Sequence, residues 1–222
     1  MGSWLTFVND LQEQMPLILA GILNTLQLAF VISITGFVLG ILVFYLTLSK
    51  NGVMRNALNG YISFFIGMPL IVLLFLMYYG LPQWGVRLAP FSVAVIGFTL
   101  NVAAYNAAYL KTAFNGLDKS QIEAANAQGF RQSEIFRFIT LPQVLLSSVP
   151  ALTNQVIANL KDSSITFLIQ YTEFFARMQE LASTNFQFFK AYLLTGLIYL
   201  LAVTVIVLIA RIIERRLLTP IN

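Results

Sequence analysis

Five stretches of this chain stay apolar for about twenty residues or more at a time: about Leu17 to Leu48, Leu58 to Leu81, Phe91 to Phe114, Val144 to Ile169 and Tyr192 to Ile213. A helix needs about 20 apolar residues to cross a bilayer. The runs are continuous rather than alternating, which disfavours a barrel of membrane strands. The fold class read from this pattern is an all-α membrane protein with five transmembrane helices, forming a single transmembrane domain over residues 1–222. Composition agrees: 58% of the residues are hydrophobic and 10% charged, where a soluble domain carries about 25% charged residues. The sequence has neither cysteine nor histidine. Disulfides, thiol nucleophiles, histidine metal sites and histidine general bases are excluded. Little acid–base chemistry then remains for a membrane-embedded enzyme.

The first span is longer than a crossing requires, so it tilts or projects beyond the bilayer. Within it Gly36 and Gly40 form a small-xxx-small pair suited to close helix packing. Gly67 and Pro69 interrupt the second span, and Pro150 lies in the fourth. Ahead of the first span, Met1 to Met15 lacks Lys and Arg, so a cleaved leader is not expected. Trp4, Leu5, Phe7, Val8 and Leu11 instead suit one face of a short interfacial helix. Basic residues favour the loops after odd-numbered spans: Lys50 and Arg55, then Lys119, Arg131 and Arg137, then Arg215 and Arg216. The positive-inside rule places the N-terminus outside and the C-terminus in the cytoplasm. Arg177 and Lys190, between spans four and five, run against this orientation.

Between spans three and four lies a polar island, residues 118–140, containing Gln121, Glu123, Gln128, Arg131, Gln132, Glu134 and Arg137. Asp118 followed three residues later by Gln121 predicts an N-cap with a capping-box partner. Ile122 and Ala125 share one side of that helix, and Gly129 is placed to end it at C′. A second short helix is expected from about Gln132 to Ile139. Pro142 is expected to separate it from span four, because a residue before proline avoids the helical region. Two short helices at a sharp angle on the cytoplasmic face result. Such a segment offers a soluble partner a surface to grip.

Ionisable and amide groups within the spans are candidates for a pathway. Gln155, Asn159 and Asp162 share one face of span four, with Ser148 seven residues before Gln155 and Lys161 beside Asp162. Asn101, Tyr105 and Ala108 make a similar stripe on span three. The two stripes either line a wet cleft able to hold a zwitterion or only bond helices together. Gly67, Met68 and Pro69 are either a broken helix lining a cavity or a packing kink. An ion-coupled secondary transporter or channel using Lys161 and Asp162 is the alternative function. The absence of an evident internal repeat weighs against it.

Glu123, Ala124, Ala125 and Gly129, followed by Leu141-Pro142, stand at the spacing of the EAA motif. The chain resembles the membrane-spanning subunits of ABC importers. Further matches are Thr25-Leu26-Gln27-Leu28, Gly67-Met68-Pro69-Leu70, Tyr78-Tyr79-Gly80-Leu81-Pro82, Ala103-Ala104-Tyr105 and Leu160-Lys161-Asp162-Ser163-Ser164. These look like the subfamily that imports polar amino acids, and the similarity runs from about Gly21 to Arg216. The resemblance implies a bacterial inner-membrane subunit whose island is a coupling helix. Glu123, Ala124, Ala125, Gly129 and Arg131 would dock on a separate ATPase subunit, which binds ATP and Mg. It also implies a second membrane subunit, identical or related, an extracytoplasmic amino-acid-binding protein, an amino acid substrate and a lipid surround, with no nucleic acid. The chain lacks a GxxxxGK[ST] phosphate loop, so ATP hydrolysis belongs elsewhere. Relatives commonly have Arg where this chain has Ile66, Thr for Met68, Glu for Ala108, Arg for Lys111 and a helix-capping Thr for Arg131. Loss of both an intramembrane Arg and a Glu suggests a less charged pathway, suited to a neutral or partly apolar side chain.

Overall fold

The structure is a computed structural model that describes residues 4–218; the side chains of Arg215 and Arg216, used above for orientation, lie outside the described ones. Ten helices follow in order among the described residues: α1 (Trp4–Glu13), α2 (Met15–Thr47), α3 (Gly52–Gly67), α4 (Leu70–Phe75), α5 (Pro90–Asn115), α6 (Lys119–Ala127), α7 (Gln132–Ile135), α8 (Leu141–Asp162), α9 (Phe174–Asn185) and α10 (Phe188–Leu218). Four segments are long and apolar enough to cross a membrane: Met15–Thr47, Pro90–Asn115, Gln132–Ile169 and Phe188–Ile212. The second expected span is present but broken. Gly52–Gly67 and Leu70–Trp84 meet at 98°, far more than a packing kink.

The α2–α5 pair is the spine. A Cβ on Gly36 would stand 2.5 Å from Val102 Cγ1, and one on Gly40 would stand 2.7 Å from Asn106 Cβ. The two glycines therefore let α5 approach to backbone distance. The hydroxyls of Thr35 and Thr99 bond across the same seam at 2.6 Å. Around this seam Leu28, Ile32, Leu74, Val93, Phe98 and Ile169 form one buried cluster. A second gathers Val43, Phe44, Ile62, Leu110 and Val144. A third joins Phe7 and Ile18 to Phe174, Met178 and Leu181. Through Phe7, and with Leu11 partly buried, α1 packs on α9; Trp4, Leu5 and Val8 stay exposed. Only 6% of the α10 window is buried within the chain, against 61% for α5, so α5 is central and α10 peripheral.

One expectation needs correction. Pro142 does not separate a short helix from span four. A π-helical turn over Phe136–Thr140 joins α7 to α8, with the Leu141 N–H donating to the Phe136 carbonyl. Pro142 then falls directly after the π turn, whose shifted hydrogen-bond register accommodates it within the helix, and the helix runs on past Pro150. The stretch between spans four and five is largely helix α9, started by the Glu173 carboxylate, which accepts the N–H groups of Phe175 and Ala176 at 2.8 Å.

Candidate functional site

Proline at position 69 removes the N–H that a continuous helix would have donated to the carbonyl of Phe65. Met68 and Pro69 are extended, with ψ of 125° and 127°, and the chain turns. The freed Phe65 carbonyl accepts the Asn101 Nδ2 donor from α5 at 2.8 Å. This bond ties the break to the central helix. It also commits the amide nitrogen of Asn101, leaving its carbonyl oxygen without a partner among the described residues yet not completely sealed.

The break opens a cavity of about 470 Å³. Gly67, Met68 and Pro69 form one wall, Asn101 and Tyr105 a second, and Gln155 and Asp162 a third. The structure thus brings together seven of the ten pathway candidates. Ala108 is not one of the lining residues. It packs beside the cluster around Phe44 and Leu110, and Tyr109, one turn beyond Tyr105, takes the cavity position. Lys161 is exposed and does not line the cavity. Asn159 is buried behind the cavity wall and borders a second cavity of about 360 Å³, which Gln155 also borders. Gln155 Nε2 donates to Asn159 Oδ1 at 3.0 Å, and Asn159 Nδ2 donates to Ser33 Oγ on α2 at 2.9 Å. Ser148 is buried, with its hydroxyl unpartnered among the described residues. Lys111 donates to Asn59 Oδ1 on α3 at 2.9 Å, away from the cavity.

Tyr109 was readable from the helical spacing, since Asn101, Tyr105 and Tyr109 recur every four residues. Ser33 carries no sequence signal, being 126 positions from Asn159.

The polar island forms an elbow. Asp118 caps α6 by accepting from the Ser120 N–H at 2.9 Å and the Ser120 hydroxyl at 2.8 Å, which holds its carboxyl below the usual range. Gln121 does not complete a capping box. Its carbonyl accepts from Gln143 Nε2 at 2.9 Å and fastens α6 to α8. Gly129 has φ +82°. Its N–H donates to the Asn126 carbonyl and that of Phe130 to the Ala125 carbonyl, a Schellman ending. Arg131 begins α7, its N–H donating to Glu134 Oε2 at 2.7 Å. Across the turn Gln132 Nε2 donates to Asn126 Oδ1 at 2.6 Å. Glu123, Ala124, Gly129 and Arg131 are exposed, whereas Ala125 is buried against its own chain and offers a partner little surface.

Residues 36–219 match the family model of a binding-protein-dependent transport system inner membrane component. The chain is 37% identical over 194 residues to PatM, a probable amino-acid ABC transporter permease protein of Vibrio harveyi, covering 86% of this chain and 87% of that one. It is 32% identical over 204 residues to YckA, a probable amino-acid ABC transporter permease protein of Bacillus subtilis, covering 92% and 90% respectively. Its structure matches a solved chain described as an amino acid ABC transporter with histidines, with TM-score 0.87 and 27% identity over 97% of this chain and 99% of that chain. An EAA-spaced elbow, a cavity at a broken span and a family match over most of the chain converge: this protein belongs to the family of inner membrane components of binding-protein-dependent transport systems, and is a permease subunit rather than an enzyme.

Proposed function

We propose that this chain forms the translocation pathway of an ATP-driven amino acid importer. One observation carries the mechanism. A continuous helix runs from Gln132 beside the elbow to Asp162 on the cavity wall. At 1.5 Å per residue it is roughly 45 Å long. Force applied at the elbow is therefore transmitted along a rigid element to the wall of the cavity. Residues 118–140 are the coupling segment of the single transmembrane domain, and Glu123, Ala124 and Arg131 form the exposed docking face. Gly129 sets its angle, and Ala125 seats the helix on its own chain. The cavity residues Gly67, Met68, Pro69, Asn101, Tyr105, Gln155 and Asp162 contact substrate. Asn159 supports them from behind, while Lys161 and Ala108 act outside the cavity.

The elbow and the C-terminus face the cytoplasm, as the distribution of Lys and Arg supports. The partners are an ATPase subunit holding ATP and Mg, a second permease subunit and an extracytoplasmic amino-acid-binding protein. Nucleotide-driven closure of the ATPase subunits pulls the elbows together and switches the cavity between outward- and inward-facing states. Because the chain has no native cysteine, Ala124→Cys supplies a unique label. It is expected to react with an impermeant maleimide only from the cytoplasmic side, and to cross-link to the ATPase subunit. Labelling from outside, or a complex whose ATP hydrolysis ignores every amino acid tested, would sink the proposal.

A further inference from the structure

We infer that the cavity selects an amino acid with a cationic side chain. The inference rests on the importer reading above and specifies its substrate class.

The polar groups of the cavity are strongly biased toward accepting hydrogen bonds. Asn101 spends its nitrogen on the Phe65 carbonyl, and Gln155 spends its nitrogen on Asn159. Both side-chain oxygens have no partner among the described residues, and neither oxygen is completely sealed although both residues are largely buried. Asp162 adds a carboxylate. Among the described lining residues none is Lys or Arg; the position beside Gly67 is the apolar Ile66. The side-chain donors left over are the hydroxyls of Tyr105 and Tyr109, whose rings lie 6.3 Å apart on adjacent turns of α5.

This set matches a substrate with two positive groups and one negative group. The two phenols meet the α-carboxylate. Asp162 and the two amide oxygens meet the α-ammonium and the side-chain cation. A neutral amino acid leaves acceptors unmatched, and an acidic one sets its second carboxylate against like charge and lone pairs. The neutral-side-chain expectation drawn from the missing Glu and Arg is replaced. Ala108 is not at the cavity, so the Glu it stands for bears little on the lining, whereas Ile66 is at the cavity and leaves Asp162 as its formal charge.

The orientation of Gln155 is held from outside the cavity. Asn159 is buried, and its own nitrogen is tied to Ser33, so its oxygen faces Gln155 and captures the amide nitrogen. Asn159 and Ser33 are positioning residues that keep the Gln155 carbonyl available.

Calorimetry on the detergent-purified permease–ATPase complex, without the binding protein, tests this with L-lysine, L-glutamine and L-glutamate. L-lysine is expected to bind at least about tenfold more tightly than L-glutamine. Asp162→Asn, close to isosteric, is expected to weaken L-lysine on the order of thirtyfold and L-glutamine, which brings only the α-ammonium, by distinctly less. Asn159→Leu is expected to narrow the lysine-to-glutamine ratio rather than weaken both equally. Equal or reversed preference in the wild type, or an unchanged ratio in Asp162→Asn, overturns the cationic assignment. Failure of the importer reading looks different: proteoliposomes of the complete assembly would then accumulate none of the three amino acids on ATP.

Discussion

Gly129 is where the coupling proposal is most exposed to test. Its φ is +82°, and a Cβ added there would meet nothing within 4 Å. Any penalty for a side chain is therefore a backbone penalty, not a clash with neighbours. The left-handed conformation costs an ordinary L-residue about 1–2 kcal/mol, β-branched residues sit at or above the upper end, and Asn is tolerated. A penalty of that size changes the occupancy of the capped elbow about 5–30-fold. Gly129→Val, Gly129→Ala and Gly129→Asn should therefore damage coupling in that order, most to least, which follows torsional preference and not side-chain volume. The assay is ATP hydrolysis and amino acid uptake measured in the same proteoliposomes, with their ratio as readout. Gly129→Val is expected to lower uptake per ATP by about 5–30-fold, with normal abundance in the membrane, because the exposed turn belongs to none of the three buried clusters. Full coupling in Gly129→Val, or equal damage from Gly129→Asn, refutes the reasoning.

Three further outcomes are expected. Gly36→Ala and Gly40→Ala force contacts of 2.5 Å and 2.7 Å on α5, and each should destabilise the detergent-solubilised protein by about 1–3 kcal/mol in thermal unfolding; an unchanged midpoint contradicts the close seam. Asn101→Leu orphans the Phe65 carbonyl and should cost about 1–3 kcal/mol as well as substrate binding, whereas Tyr109→Phe should spare stability and weaken binding alone. Glu173, between the α8 and α10 spans, is fully buried, and burial pushes its carboxyl up to about 7 despite four donors. Its folded pKa lies above its unfolded one, so its contribution is complete below about pH 4.5 and lost as pH rises through 7. The loss is on the order of 3 kcal/mol. Unfolding midpoints between pH 5 and 8 should slope downward in the wild type and flatten in Glu173→Gln; an unaltered slope assigns the effect to another group.

Much of the elbow was legible because turn chemistry is local. Asp118 as N-cap and Gly129 as C′ depend on the backbone within a few residues, and both fall where their side chains require. Pro69 announced a freed carbonyl for the same reason. Pro142 misled because its local preference was met by a π turn, a shift of hydrogen-bond register that keeps the helix continuous when packing favours it. Gln121 likewise had two possible partners, and the one on α8 won.

By itself the sequence determined that the chain lies in a membrane, where it crosses, where it breaks and which island stays polar, since these follow from hydrophobic length and backbone covalency. Only the tertiary structure decided that Tyr109 and not Ala108 reaches the cavity, that Ser33 steadies Asn159 and that Glu173 joins α2, α9 and α10 through Thr25 and Tyr199. Those choices depend on how helices far apart in the chain rotate against one another, and that rotation is set by collective packing around Gly36 and Gly40, which no local pattern encodes.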